Sequence, residues 1–268
     1  MFVRARAASS PPTPAAQALV SACLALVLLA AALGAQSDRP NSSVTRRPQD
    51  VPRGNLVYPQ ERGELQITVA SGFARGEGQI VLPLSIEYGI TGAWQIDAEL
   101  ETSAPFRRTS DAAGNRAGIT GGGIGIQRTW IGMRGAPNHL AVGAELEVDR
   151  ADDGNELALS PNVALGRDVG ADGRAHLFAH AQAEVGTGEL EPATSAGIIV
   201  PAGRTLLVAE WTRQPSDSDE LQGRRFTTEL TPGVILDIGE FELVAGAPVR
   251  VGRDSPRVGA ILKLTREF

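Results

Sequence analysis

Cysteine and lysine each occur once in the 268 residues, at Cys23 and Lys263. One cysteine excludes a disulfide scaffold and a cysteine-ligated zinc site. The basic charge is therefore almost all arginine, and acids outnumber it, 31 against 25, for a net charge of −6. An acidic chain without a basic patch is poorly suited to nucleic acid. Aromatic residues make up only 4%. After position 36 no apolar run approaches the ~18–20 residues that a membrane-spanning helix needs. Glycine, at 31 residues, is abundant instead.

The one long apolar run lies at the start. Arg4 and Arg6 precede Ala15 to Leu33 (AAQALVSACLALVLLAAAL), which ends in small residues near Gly34-Ala35. A positive n-region, an apolar h-region and a small-residue exit read as a secretory signal peptide over residues 1–35. The run is long enough for an anchor helix, but the residues after it do not resemble a cytoplasmic domain. Cys23 comes after Val20-Ser21-Ala22, a lipidation-like pattern, yet the apolar run continues past it, so it reads as part of the h-region. Residues 36–62 carry four prolines, five arginines and three acids, with little to bury, and read as a polar periplasmic tail. Residues 63–268 then form one domain, large enough for a single core.

From Gly63 onward apolar and polar residues alternate. Ile80, Leu82, Leu84, Ile86, Tyr88 and Ile90 share one face; Trp94, Ile96, Ala98 and Leu100 alternate with Gln95, Asp97, Glu99 and Glu101; Leu140, Val142, Ala144, Leu146 and Val148 alternate with His139, Glu145, Glu147 and Asp149. A period of two is the signature of strands, because successive side chains point to opposite faces. Twelve such segments are expected near 64–72, 79–90, 93–103, 119–133, 139–149, 156–167, 175–186, 193–202, 205–214, 225–237, 240–250 and 257–268. Hairpin parity agrees: a loop at Gly203-Arg204 sets Val200 against Leu207, one at Ile238-Gly239 sets Leu236 against Phe241, and one at 90–92 sets Tyr88 against Trp94. The connections after even-numbered segments are mostly tight, with 168–174 the exception, and the long ones, 103–118 and 215–224, come after odd-numbered segments.

Acidic rows on the polar faces suit a wet lumen rather than a lysine-rich solvated surface. Tyr88, Trp94, Trp130 and Phe241 lie on apolar faces near the tight turns, on the side of Phe268, as in an interfacial girdle; Trp211 and Phe226 would form a sparse second one. Pro83, Pro161, Pro201, Pro232 and Pro248 run against this, since a closed sheet resists proline. The fold expected is all-β: a transmembrane antiparallel up-and-down barrel of about twelve strands in the cell outer membrane, its apolar face on lipid.

The last segment, VGAILKLTREF, looks like the terminal strand that outer-membrane proteins present to the barrel insertion machinery, with Phe268 at its end and Arg266 departing from the usual pattern. The pieces LPLSIEYGITGAWQIDAEL and TPGVILDIGEFELVAGAPV resemble a large family of bacterial outer-membrane barrels named for a phenol-degradation (meta) pathway. The resemblance implies a twelve-stranded barrel and passage of small organic molecules. It carries over no catalytic residue and no cofactor.

The lumen-facing candidates are Glu87, Asp97, Glu99, Glu101, Glu145, Glu147, Asp149, Asn162, His176, His180, Glu184 and Lys263. His176 and His180 are four apart on a strand, ~13 Å, too far to chelate one ion. Across the 168–174 turn His180 is expected beside Asn162 and diagonal to Ser160, a serine–histidine–asparagine set conceivable in a lipid hydrolase but better read as lumen polar packing. Carboxylates two apart are ~7 Å from each other, so one strand alone cannot ligate calcium. Gly121-Gly122-Gly123 lacks the strand-to-helix context of a phosphate loop. No metal or cofactor is expected.

A narrow channel or transporter for small solutes is the first functional reading, since twelve strands fall between filled and open barrels. The alternatives are a non-conducting structural or adhesive barrel and an outer-membrane hydrolase. Residues 36–62 carry a balance of +2 against −10 for residues 63–268, giving the tail an electrostatic reason to enter the pore, where Arg46, Arg47, Arg53 and Arg62 would meet the acidic rows of the third and fifth strands. Screening by salt tips the balance toward a tail left free in the periplasm.

Overall fold

The computed structural model describes residues 51–53, 56–74, 79–105, 118–133, 136–151, 154–170, 175–186, 190–215, 226–251 and 258–268. The strand segments are β1 (Leu65–Ala74), β2 (Gln79–Val81), β3 (Leu84–Gly89), β4 (Trp94–Pro105), β5 (Gly118–Trp130), β6 (Asn138–Ala151), β7 (Gly154–Val169), β8 (Ala175–Val185), β9 (Leu190–Ala202), β10 (Thr205–Pro215), β11 (Phe226–Ile238), β12 (Phe241–Gly246), β13 (Val249–Val251) and β14 (Gly259–Glu267). All pairings are antiparallel and run round a full circle, closed where β1 meets β14. β2 and β3 share the partners β1 and β4, so they are one strand interrupted at Leu82-Pro83. β12 and β13 are likewise one strand interrupted at Ala247-Pro248. The wall is a closed twelve-stranded barrel.

The prolines explain the interruptions, because proline has no N–H for the ladder. The neighbouring ladder absorbs the break: Ala70 N–H donates to the Pro83 carbonyl at 2.9 Å and Gly259 N–H to that of Pro248 at 2.8 Å. Pro161, Pro201 and Pro232 stay inside strands, opposite Ala144, Leu206 and Ala209.

The barrel is inside-out. Ile124 is 63% exposed and Leu157 56%, while Ser160 is 0%, Thr231 1% and Gln66 2% exposed. An apolar exterior on a closed ladder, with no free edge, is what a bilayer demands of strands. Val142, Ala183 and Leu190, on the outer face by parity, are exceptions and are buried; Val142 has Arg128 and Val163 as its ladder neighbours.

Arginines sit among the outer aromatics. Arg128 lies 5.3 Å from the Trp94 ring and 4.8 Å from that of Trp130; Arg266 lies 5.4 Å from Phe241 and 4.6 Å from Phe268. These four rings mark the turn end, where Phe268 and Leu65 exchange backbone hydrogen bonds. At the opposite, loop end Arg213 lies 4.4 Å from Phe226. Arg266 thus fits its position: its guanidinium lies by two rings and reaches Glu240 at 2.6 Å.

Parity holds at all three hairpins, but the expected register holds at only one. Leu207 pairs with Val200 as expected. Leu236 pairs with Leu243 rather than Phe241, because the two-residue turn is Gly239-Glu240. Tyr88 pairs with Ile96 rather than Trp94. Gly203 and Gly239 both have positive φ (70° and 66°) and both stand first in their turns, which sets the register. β6 ends at Ala151 and β7 begins at Gly154, so this loop-end connection is as tight as any. The connections 106–117 and 216–225 are both at the loop end, but neither lies within the described residues.

Candidate functional site

Two unlike walls face each other across the lumen. On one, β5 is flanked by β4 and β6. Its inward positions are Gly121, Gly123 and Gly125, paired with Glu101, Glu99 and Asp97 on one side and with Asp149, Glu147 and Glu145 on the other. A Cβ at Gly123 would land on the Glu145 carboxylate and one at Gly125 on that of Asp97. The glycine column is therefore a floor over which the carboxylates of Asp97, Glu145 and Asp149 lean, flanked by Glu99, Glu101 and Glu147, and none of the six is fully buried. Glu184 of β8 joins them: its carboxylate reaches within 4.8 Å of those of Glu147 and Asp149. The inward residues of β7 between them, Ala158 and Ser160, are small and buried. Lys263, inward on β14 opposite Ala70 and Val244, is the chain's single lysine.

The opposite wall, β8 to β12, carries an apolar patch on its inner face as well as polar residues. Phe178, Ile199, Val208, Ile235 and Val244 point inward and are 0–4% exposed. They are covered by the segment that precedes β1. Val51 and Leu56 join their cluster, and Tyr58 packs at its edge. Val57 packs with Ala141 and Ala164. A Cβ at Gly246 would stand 2.9 Å from Pro52 Cβ, so glycine there makes room for the segment. Burying Val51, Leu56 and Val57 contributes on the order of 1.5–3 kcal/mol each.

Polar groups fix the segment at three points. Arg53 donates through its guanidinium to Glu229 at 2.7 Å and through its backbone N–H to Glu210 at 2.9 Å. Gln60 Nε2 donates to Gln66 Oε1 at 2.6 Å and its N–H to Gln95 Oε1 at 3.2 Å. Glu87 accepts from Gln66 at 3.4 Å and from Gln95 at 3.2 Å. Tyr58 reaches Asp168 at 3.2 Å and His176 Nδ1 at 2.9 Å. Asp168 also receives His139 Nε2 at 3.1 Å.

Residues 51–53 and 56–60 therefore lie inside the barrel, with Tyr58 and Gln60 at its turn end and Arg53 deeper in the lumen, not free in the periplasm. The arginine that enters meets Glu229 and Glu210, not the acidic rows of β4 and β6. Arg62 is exposed, and Arg46 and Arg47 lie outside the described residues. The physical reason is the apolar patch on the inner wall: net charge draws the segment in, but Val51 and Leu56 choose the side on which it docks.

His139, Asp168 and His176 bring three ligand atoms within 4.8 Å. The hydrogen bond on the far side of the His139 ring argues against a metal. His139 Nδ1 accepts the backbone N–H of Gly132 at 3.1 Å, which leaves the ring's proton on Nε2, the nitrogen facing Asp168. A histidine ligating through Nε2 keeps its proton on Nδ1 and donates it. The cluster is a hydrogen-bonded latch around Asp168.

His180 does not fall beside Asn162. It pairs with Ala164 on one side and Ser195 on the other, while Asn162 pairs with Gln182, because the turn shifts the β7–β8 register by two. The serine–histidine–asparagine set is not assembled as expected. His139, Asp168, Tyr58, Glu210 and Glu229 are not among the lumen candidates that alternation and charge single out. The available signal is the interruption of polar faces by Phe178, Ile199, Val208, Ile235 and Val244.

No family model matches the sequence, and no curated protein does. Among solved structures, a KdgM porin has a TM-score of 0.55 at 8% identity, covering 76% of this chain and 99% of that one. A NanC porin has a TM-score of 0.54 at 10% identity, covering 75% and 98%. At these identities the likeness is one of fold. The chain folds as a porin-like outer-membrane β-barrel.

Proposed function

We propose that the barrel is a narrow channel for small solutes with a preference for cationic or polar organic molecules. The observation that carries this is the glycine-floored wall of Asp97, Glu99, Glu101, Glu145, Glu147 and Asp149. Carboxylates lining a low-dielectric pore concentrate cations and repel anions. A KdgM porin has been seen in complex with an oligogalacturonate, a polyanion; the acidic wall of this chain favours the opposite charge. The resemblance to barrels named for a phenol-degradation pathway implies small organic molecules and supports the size class. Uptake into proteoliposomes of an amine, a neutral phenol and a carboxylate of equal size tests the reading. The amine is expected to enter fastest; fastest entry of the carboxylate would defeat it.

Lipid faces the exterior in this reading, and the insertion machinery engages β14 and Phe268. Deleting Phe268 is expected to lower the amount of assembled, heat-modifiable barrel in outer membranes, and an unchanged amount would remove that role.

A further inference from the structure

We propose that residues 51–53 and 56–60 are a displaceable plug, and that a solute carrying a guanidinium or ammonium group opens it by replacing Arg53 at Glu210 and Glu229. The choice of solute rests on the cationic channel reading above; closure of the mouth does not.

The wall is complete without the plug. The ladder closes all round from β1 to β14, and no described residue of 51–62 belongs to a strand. Withdrawal therefore breaks no strand pairing. The segment is held by three apolar side chains, the Arg53 contacts, and the hydrogen bonds of Tyr58 and Gln60.

The Arg53 seat has the chemistry of a cation site. Glu210 and Glu229 are 2% and 4% exposed, deep in the lumen, and their inward ladder neighbours are Thr231 and Thr212, themselves buried. Arg250 already lies 3.4 Å from Glu229, on the other carboxylate oxygen. Losing Arg53 leaves buried carboxylates short of a donor, which is unfavourable unless another cation arrives. Plug and solute therefore compete for the same two carboxylates. A cation drawn to the acidic wall is already in the lumen where that competition takes place.

Val244, 0% exposed and clustered with Val51, reports on the plug. The test uses the full chain carrying Val244→Cys in liposomes, with the unsubstituted chain as background, and a neutral water-soluble maleimide. Labelling is expected to be slow, to accelerate at least five-fold with L-argininamide, and to change less than two-fold with sodium chloride of equal ionic strength. Adding Arg53→Ala should give fast labelling that no longer responds to L-argininamide, whereas Arg53→Lys should keep both the protection and the response. Fast labelling at the outset would overturn the plug. Slow labelling indifferent to L-argininamide would overturn displacement, and this holds even if Arg53→Ala does not fold. If labelling behaves as expected but L-argininamide is not taken up into liposomes, the plug stands and the channel reading falls.

Discussion

The β4–β6 wall and the β8–β12 wall are built from the same alternating strands, yet their inner faces differ. The first presents glycine and carboxylates and is partly exposed. The second presents Phe178, Ile199, Val208, Ile235 and Val244, which are buried and covered by residues 51–53 and 56–58. A barrel in lipid needs apolar residues outside; nothing requires them inside. An apolar patch on the inner faces therefore marks where something else packs, and here it is the chain's own N-terminal segment.

Removing the largest apolar group of the covered wall should separate the two most sharply. The Phe178 ring lies over Gly197, where a Cβ would stand 2.5 Å from Cζ. Phe178→Ala is expected to destabilise the barrel by ~3–5 kcal/mol in urea unfolding from lipid vesicles. Glu145→Gln on the open wall should leave the unfolding midpoint unchanged or raise it, because it relieves repulsion among carboxylates. Equal losses at both sites would mean that the walls do not differ in packing.

The contrast holds only if both walls share one exterior. Ile124, on the outer face behind the glycine column, is 63% exposed. Ile124→Arg should cost ~2–4 kcal/mol if the site lies near the midplane, measured by the same unfolding assay. No loss would place that face in water and undo the inside-out assignment.

A smaller effect is expected at the latch. Tyr58→Phe keeps the ring between His139 and His176 and removes the hydroxyl that reaches Asp168 and His176. The expected loss is about 1 kcal/mol, the net worth of such a hydrogen bond. Proteolysis at the segment should become detectably faster, while a rate equal to that of the unsubstituted chain would mean the latch contributes nothing.

Much of the wall is legible in the sequence because a period of two admits only one reading for strands such as Trp94–Leu100 or Leu140–Val148. Register is less legible: parity fixes the face of Leu236 but is unchanged by a slip of two, and the choice depends on seeing that glycine leads the turn at Gly239 as it does at Gly203. The same slip moves His180 from Asn162 to Ala164. The acidic wall comes directly from residue type and parity, although its glycine floor requires knowing which strand lies between β4 and β6. The seat of the segment is hidden for another reason. Three apolar residues, Val51, Leu56 and Tyr58, look insignificant in a polar tail until the five apolar residues that receive them are recognised as facing inward.

The central claim is that the acidic wall sets what passes. The reversal potential of the reconstituted barrel across a tenfold potassium chloride gradient tests it most directly. The account predicts a potential of the sign for cation preference, falling toward zero in Glu99→Gln/Glu145→Gln and shrinking at high salt as the carboxylates are screened. A potential of the anion-selective sign, or one indifferent to those two substitutions, would contradict it.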